Sequence, residues 1–347
     1  MVKGNMIIPD KYRSPLDVRE TEKAIKFIKD NFEINLAKEL RLERISAPIV
    51  VFRKTGINDY LTGREKPIRF NVSAMNEEAE IVQSLAKWKR VALADYGFGH
   101  GEGLYTDMNA IRPDENLDNL HSVYVDQWDW ERVIRRDERN LDFLKLIVRK
   151  IYEVIKKIEK LVCETLGRVG TPFLADEIYF IHSEDLLDMY PSLSPEEREN
   201  EICRAKGAVF VIGIGAKLGD GRPHDERAAD YDDWSTETGN GKRGLNGDIL
   251  VWYPLLKCGF ELSSMGIRVD KDSLLRQLEI KGEEERIDLY FHQRLIHEGL
   301  PLTIVGGIGQ SRLCMLYLRK AHIGEVQSGI WPDEAIKMCK ESKIFLL

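Results

Sequence analysis

The sequence predicts an α+β fold, a largely antiparallel sheet with helices packed on one side. Strand-like runs at 208–214, 249–253 and 260–264 succeed one another with no helical pattern between them. That favours antiparallel pairing over the crossovers a parallel sheet requires. Two long stretches, 17–43 and Leu141–Leu166, each carry one apolar stripe, as a helix laid on a sheet does. No repeat, low-complexity tract or obvious linker interrupts the chain, and 347 residues allow one large domain or two ordinary ones.

The first helix, 17–43, opens with Asp17 as a cap and Glu20 three positions on. Ile25, Ile28, Phe32, Leu36 and Leu40 then recur at helical spacing. A strand is expected at 45–52. It contains Pro48, which cannot donate to a ladder, so an edge or an interface is its natural place. Residues 55–63 read as turn-rich, with Asn58 and Asp59 at the centre. A second helix is expected over 80–93, carrying the basic cluster Lys87, Lys89 and Arg90, and Gly97, Gly99, Gly101 and Gly103 mark a flexible loop. The longest helix, Leu141–Leu166, is closed by Gly167. Residues 168–205 suggest no role. The Gly- and Asp-rich run 219–247 reads as a long loop, and loops of that length are often functional. Strands at 249–253, 260–264 and 303–305 and a helix from Gln310 complete the order.

Composition excludes several classes. The chain is 43% hydrophobic and 31% charged, and no run of ~18 apolar residues offers a membrane span. The N-terminus lacks the apolar core of a secretory signal. Its five cysteines are widely spaced, odd in number and form no CxxC. Neither a disulfide framework nor a zinc site is indicated, and a reduced, cytoplasmic protein is expected. With net charge −7 and pI about 5.7, nucleic acid is disfavoured as an obligatory partner.

The richest segment runs from Arg112 to Glu131. Arg112 and Glu115 sit at the head of a loop. In the strand that follows, Val123, Val125, Gln127, Asp129 and Glu131 share one face, and Tyr124, Asp126, Trp128 and Trp130 the other. Acceptors so near a core are costly unless they hold a ligand or partner, and an arginine can grip phosphate with two hands. Together they suggest a nucleotide site. Gly306-Gly307-Ile308-Gly309-Gln310-Ser311-Arg312 runs from a strand into a helix. Bare backbone there would let a flat ring lie down, with Arg312 in reach of phosphate. Asp248 and Glu261, on neighbouring strands, suit Mg²⁺, which takes one or two carboxylates and completes its shell with substrate and water. Glu261 and Ser263 are expected on one strand face. The run from Gly213 to Gly219 has the wrong spacing for a dinucleotide loop, and no Walker A sequence exists.

A long helix leading to a Pro-bearing strand, an Arg-x-x-Glu loop with an acidic strand, and a Gly-rich turn with Arg312 occur in that order. This resembles the three motifs of class II aminoacyl-tRNA synthetases, nearest the aspartyl and asparaginyl members. The detail is closer still to the ammonia-dependent asparagine synthetase family. Ser84-Leu85-Ala86-Lys87-Trp88-Lys89-Arg90, Gly103-Leu104-Tyr105-Thr106, Tyr231-Asp232-Asp233-Trp234-Ser235-Thr236, and the stretches 121–131, 245–252, 261–269 and 306–313 all look like that family. The resemblance implies one class II synthetase-like catalytic domain over 1–347, with no anticodon-binding domain, working as a homodimer. It implies amidation of L-aspartate by ammonia, with ATP giving AMP and pyrophosphate through a β-aspartyl-adenylate. Val2 follows Met1, so the cysteine nucleophile of a glutamine-hydrolysing enzyme is not expected, and free ammonia is the expected nitrogen source.

By the same resemblance Arg112 would hold the α-phosphate, Glu115 the adenine side, and Arg312 the far phosphates, with Gly307 and Gly309 beneath the nucleotide. Asp248 and Glu261 would carry Mg²⁺. Lys89 and Arg268, with Ser263, Ser264, Gln127 and Asp129, would anchor aspartate. Asp59, Gln127 and Asp129 would cage ammonium and take its proton. Two rival readings remain: a tRNA-charging enzyme, which predicts a basic face, and an amino-acid-sensing paralogue, which predicts loss of the phosphate-gripping residues.

Overall fold

A computed structural model describes residues 2–3, 6–61 and 65–347. Its centre is an eight-stranded sheet. In spatial order the strands are Leu42–Arg44, Gly103–Ile111, Tyr124–Val133, Thr303–Gly309, Cys258–Ile267, Asn246–Tyr253, Ala208–Ile212 and Tyr179–His182. The pairs are antiparallel except the outermost one at each edge.

Helices lie on both faces rather than on one. Helices Val18–Leu40, Leu141–Leu166 and Gln310–Tyr317 cover the first face. Their apolar residues pack on Trp128, Trp130, Phe210, Ile249, Met265 and Ile308, and Phe32 stacks on Trp128 with ring centroids 4.6 Å apart. Asp17 and Glu20 form the expected capping box, a feature that contributes about 1 kcal/mol. On the second face, Ser183–Met189 and Pro195–Lys206 cover Val209, Val211 and Leu250 at one end, and Ala86–Asp95 covers Leu104 and Val133 at the other. The middle of that face stays open.

Three local expectations are corrected. Residues 45–49 are irregular, and only Val50–Phe52 forms a strand, in a separate three-stranded sheet with Glu77–Ile81 and Arg69–Val72. Glu80 therefore lies in a strand, and the helix expected over 80–93 begins at Ala86. The loop 219–247 contains a small hairpin, Glu237–Gly239 with Lys242–Arg243. The turn-rich segment 55–63 is described only as far as Leu61. No described helix is long and apolar enough to cross a membrane.

Candidate active site

The open middle of the second face takes its chemistry from strand alternation. In Tyr124–Val133, Trp128 and Trp130 are fully buried under the helices of the first face. Gln127, Asp129 and Glu131 must then point the other way. The neighbouring strand Thr303–Gly309 is bare at 306, 307 and 309. Gly307 pairs with Asp129, and a Cβ there would overlap Gln127 Oε1. Gly306 faces the first side, where a Cβ would meet the Trp130 indole at 2.9 Å. One glycine thus admits a core tryptophan and the next leaves room for a site glutamine.

Two adjoining pockets, of about 170 and 220 Å³, form the cleft and share Arg112, Gln127, Glu261 and Gly307. Glu115, Gly309 and Arg312 complete one wall of the first. Arg112 Nε is buried without a hydrogen-bond partner among the described residues. Burial lowers its pKa, with Glu115 opposing, so an anion placed here would relieve the cost. Arg312 donates to the Glu261 carbonyl at 2.9 Å and approaches its carboxylate at 3.4 Å. Its helix is anchored by Asp126, whose carboxylate accepts from Ser311 N at 3.0 Å and Ser311 Oγ at 2.9 Å and pairs with Lys29 at 3.0 Å.

Asp59, Gln127 and Asp129 all line the second pocket, with Ser264, Arg227 and Tyr231. Asp59 is buried rather than exposed on a turn. One oxygen accepts from Lys87 N at 3.4 Å, and the other has no described partner. Burial raises its pKa; Lys87 opposes this and Asp230 adds to it. The expected cationic anchors lie one layer deeper. Lys89 is fully buried, hydrogen-bonded to Asp129 Oδ1 and, at 3.1 Å, to the Trp130 carbonyl. Arg268 donates to the Asp230 carbonyl at 3.1 Å, lies 3.9 Å from Glu131 and sits over the Tyr231 ring. Its Nη1 has no described partner.

Glu261 lines both pockets, and Asp248, which lines neither, pairs with the pocket residue Ser264 and so shares its face of the sheet. Asp248 accepts from Arg227 at 2.7 Å. Its pKa is raised by burial and by the like charge of Glu261, with Arg227 opposing. Burial also pushes Glu261 up, but Arg312 and Arg227 outweigh it and hold this carboxylate below its ordinary value. No cluster of three or more His, Cys, Asp or Glu suited to a metal occurs among the described residues. A carboxylate held ionised at Glu261, beside Asp248 whose ionisation that charge opposes, nevertheless fits Mg²⁺, which leaves its other positions to phosphate and water.

Ser263 is a correction. The pairing of Asn246–Tyr253 with Cys258–Ile267 shifts register between Ile249 and Leu250. The extra residue flips the alternation. Ser263 therefore pairs with Ile249 and Ile308 on the core side, while Ser264, opposite Asp248 and Gly307, lines the pocket. Arg227 was not singled out from the sequence. Its only signal was membership of the long loop marked as functional, yet it bridges Asp248 and Asp232.

A family model described as aspartate-ammonia ligase matches residues 19–343. The aspartate–ammonia ligase of Bacteroides thetaiotaomicron is 54% identical over 343 residues, covering 99% of each chain. That of Parabacteroides distasonis is 55% identical over the same length and coverage. Among solved structures, asparaginyl-tRNA synthetase from Entamoeba histolytica superposes with a TM-score of 0.66 at 15% identity, covering 89% of this chain and 67% of that one. The Pyrococcus horikoshii asparaginyl-tRNA synthetase complexed with asparaginyl-adenylate gives 0.63 at 16%, covering 90% and 70%. At such identities the likeness is one of fold.

Proposed function

The chain belongs to the aspartate–ammonia ligase family, and from that premise we propose that it makes L-asparagine from L-aspartate, ammonia and ATP. The observation that carries this reading is the joining of two pockets through Arg112 and Gln127. One is lined by Arg112 and Arg312, and the other by Asp59 and Asp129.

In the first half-reaction the β-carboxylate of aspartate attacks the α-phosphorus. A P–O bond forms, the bond to pyrophosphate breaks, and β-aspartyl-adenylate results. Arg112 holds the α-phosphate and Arg312 the departing phosphates. Glu115 meets the adenine side, which lies over Gly307 and Gly309. Asp248 and Glu261 would hold Mg²⁺, which when bound would neutralise phosphate charge. Aspartate is oriented by Gln127, Ser264 and Asp129, with Lys89 and Arg268 supplying positive charge from behind. Catalysis here is positioning and charge neutralisation.

In the second half-reaction ammonium gives a proton to Asp59, helped by Gln127 and Asp129. The nitrogen attacks the acyl carbon, and a second proton leaves as the adduct collapses. The C–O bond to AMP breaks, leaving asparagine. Burial suits Asp59 to this role, because a raised pKa makes a carboxylate a better proton acceptor. We take the enzyme to be cytoplasmic and homodimeric. Five free cysteines support the first. The second is supported by the outward face of the small sheet, where Val50 and Phe70 are each 41% exposed.

The test is release of AMP and pyrophosphate from ATP and aspartate, with and without ammonium, with asparagine followed in parallel. Ammonium-dependent asparagine in step with AMP is expected. ATP–pyrophosphate exchange without amide would point to a tRNA-charging enzyme, and no turnover would point to a sensor.

A further inference from the structure

Lys87 is fully buried in the first turn of the helix Ala86–Asp95 and lines neither pocket of the cleft. An ammonium withdrawn that far from water is costly unless its partners compensate. Its described partners lie around Asp59. Lys87 Nζ donates to the Gly56 carbonyl at 2.9 Å and stands 3.4 Å from Asp230 Oδ2. Its backbone N–H, one of the donors that a helix start leaves unpaired, donates to Asp59 Oδ2 at 3.4 Å. One residue thus grips the segment 56–59 at both ends. Asp230 does not need the whole of this cation. The same Oδ2 takes Arg286 at 2.7 Å and lies 3.0 Å from His292 Nε2. Burial would raise the Asp230 pKa, but Lys87, Arg286 and His292 outweigh it and hold this carboxyl well below its usual range.

The charges on the pocket side make the cation matter. Asp129, Asp225, Glu226 and Glu261 share the pocket with Asp59, against Arg112 and Arg227. Acids outnumber guanidiniums there, which disfavours one more negative charge. Tyr60 and Tyr231 line it too, and burial raises both phenols, so they add no charge. From behind, Asp59 is faced by Lys87, Asp230, Arg268 and Arg286. Burial raises the Asp59 pKa, and Lys87 is the strongest influence against it. A proton acceptor meets two demands. It must bind a proton well, which burial provides. It must also be empty when ammonium arrives, which burial opposes and a fixed cation restores.

We infer that Lys87 is a positioning residue for amide formation: it fixes the segment that presents Asp59 and, as a buried cation beside Asp59 and Asp230, keeps Asp59 in the ionised form that can accept a proton. This rests on the reading of Asp59 as the proton acceptor of the second half-reaction. Lys87 gives and takes no proton itself. The proton passes from the ammonium nitrogen to a carboxylate oxygen of Asp59, and Lys87 sets how often that oxygen is empty.

The pH dependence of kcat for asparagine formation at saturating ammonium tests this, with ATP–pyrophosphate exchange followed over the same range. Protonation of free ammonia is common to every variant, so the readout is the position of the acid limb relative to wild type. Lys87→Met keeps the length and removes the charge. Its acid limb should move up by about one pH unit or more, the effect of losing an opposite charge near a carboxylate. On the wild-type acid limb kcat should then fall about ten-fold and return as pH is raised, while exchange stays close to that of wild type. Lys87→Arg keeps the charge and should leave the limb in place. Asp230→Asn should move the limb the other way, to lower pH, because the Asp230 charge raises the Asp59 pKa. A residue that only supported the fold would lower both rates and move the limb in neither direction. A limb unmoved by Lys87→Met, or asparagine formation and exchange falling together, overturns the inference. Should Lys87→Met fail to fold, Asp230→Asn carries the test: a limb shifted to lower pH with exchange intact supports the inference, and one unmoved or shifted upward refutes it. The parent reading fails separately, if Asp59→Asn leaves the acid limb of the wild type in place.

Discussion

A carboxylate after an asparagine in a turn is an ordinary surface feature, and spacing alone assigned Asp59 no more than that. Its role depends on Lys87 and Asp230, which lie 28 and 171 positions further along the chain and meet through the Lys87 ammonium, and no local pattern reports such neighbours. Gln127 and Asp129 were legible, because period-two alternation with two tryptophans leaves them no other face. Asp59→Asn should lower asparagine formation at least about 100-fold, the scale of general-base catalysis, while sparing ATP–pyrophosphate exchange. Equal loss of both would remove Asp59 from the second half-reaction. Its raised pKa carries a sign. The basic form disappears as pH falls through that value, so amide formation should fail at a higher pH than exchange does. Asp232 offers a stability counterpart, since burial pushes its pKa up to about 6. The folded state then binds that proton more tightly than the unfolded chain. The resulting stabilisation is full below the ordinary Asp value of ~4 and is lost as pH rises through the raised one. Asp232→Asn should flatten this part of the profile, which melting temperatures measured on either side of the window would reveal.

At the scale of elements, the sequence marks helices well and irregularities poorly. The Leu141–Leu166 helix has the bounds its periodicity and Gly167 indicate. The bulge in Cys258–Ile267 left no trace in the pattern, because serine occupies both 263 and 264 and either could face the cleft. Pairing partners decide the matter, and they come from distant segments. Ser264→Ala should therefore raise the KM for aspartate several-fold, by roughly the 1 kcal/mol of one hydrogen bond, whereas Ser263→Ala should leave it unchanged. Steady-state kinetics on the pair would reverse the assignment if Ser263 proved the sensitive one. Gly307→Ala is a sharper probe, since its methyl would overlap Gln127 Oε1. Activity should fall while far-ultraviolet circular dichroism stays that of the wild type.

For the whole molecule, the sheet and its helical cover were legible, but coverage of both faces was not. The strand Ala208–Ile212 is buried along its whole length. A continuous apolar run of five residues does not reveal which helices lie above and below it. Two of the helices on the second face, Ser183–Met189 and Pro195–Lys206, fall almost wholly within 168–205, the stretch whose pattern suggested no role. The small sheet presents Val50, Phe52, Ile68, Phe70 and Ile81 on one side, with the first, third and fourth of these exposed. If a second copy covers this face, sedimentation should report about twice the 40.0 kDa of one chain, and Phe70→Asp should shift the equilibrium towards monomer.

Alternation on the central strands has a consequence for quality control. Gln127, Asp129 and Ser264 reach the cleft only because Trp128, Trp130 and Met265 take the opposite side. A slip of one position on any of these strands would bury the acids and expose the indoles at once. A molecule with shifted pairing is thus both inert and unstable, so no half-working population can persist. Turnover per molecule becomes a gauge of correct strand alignment, which an experimenter can use to count properly assembled protein in a refolded sample.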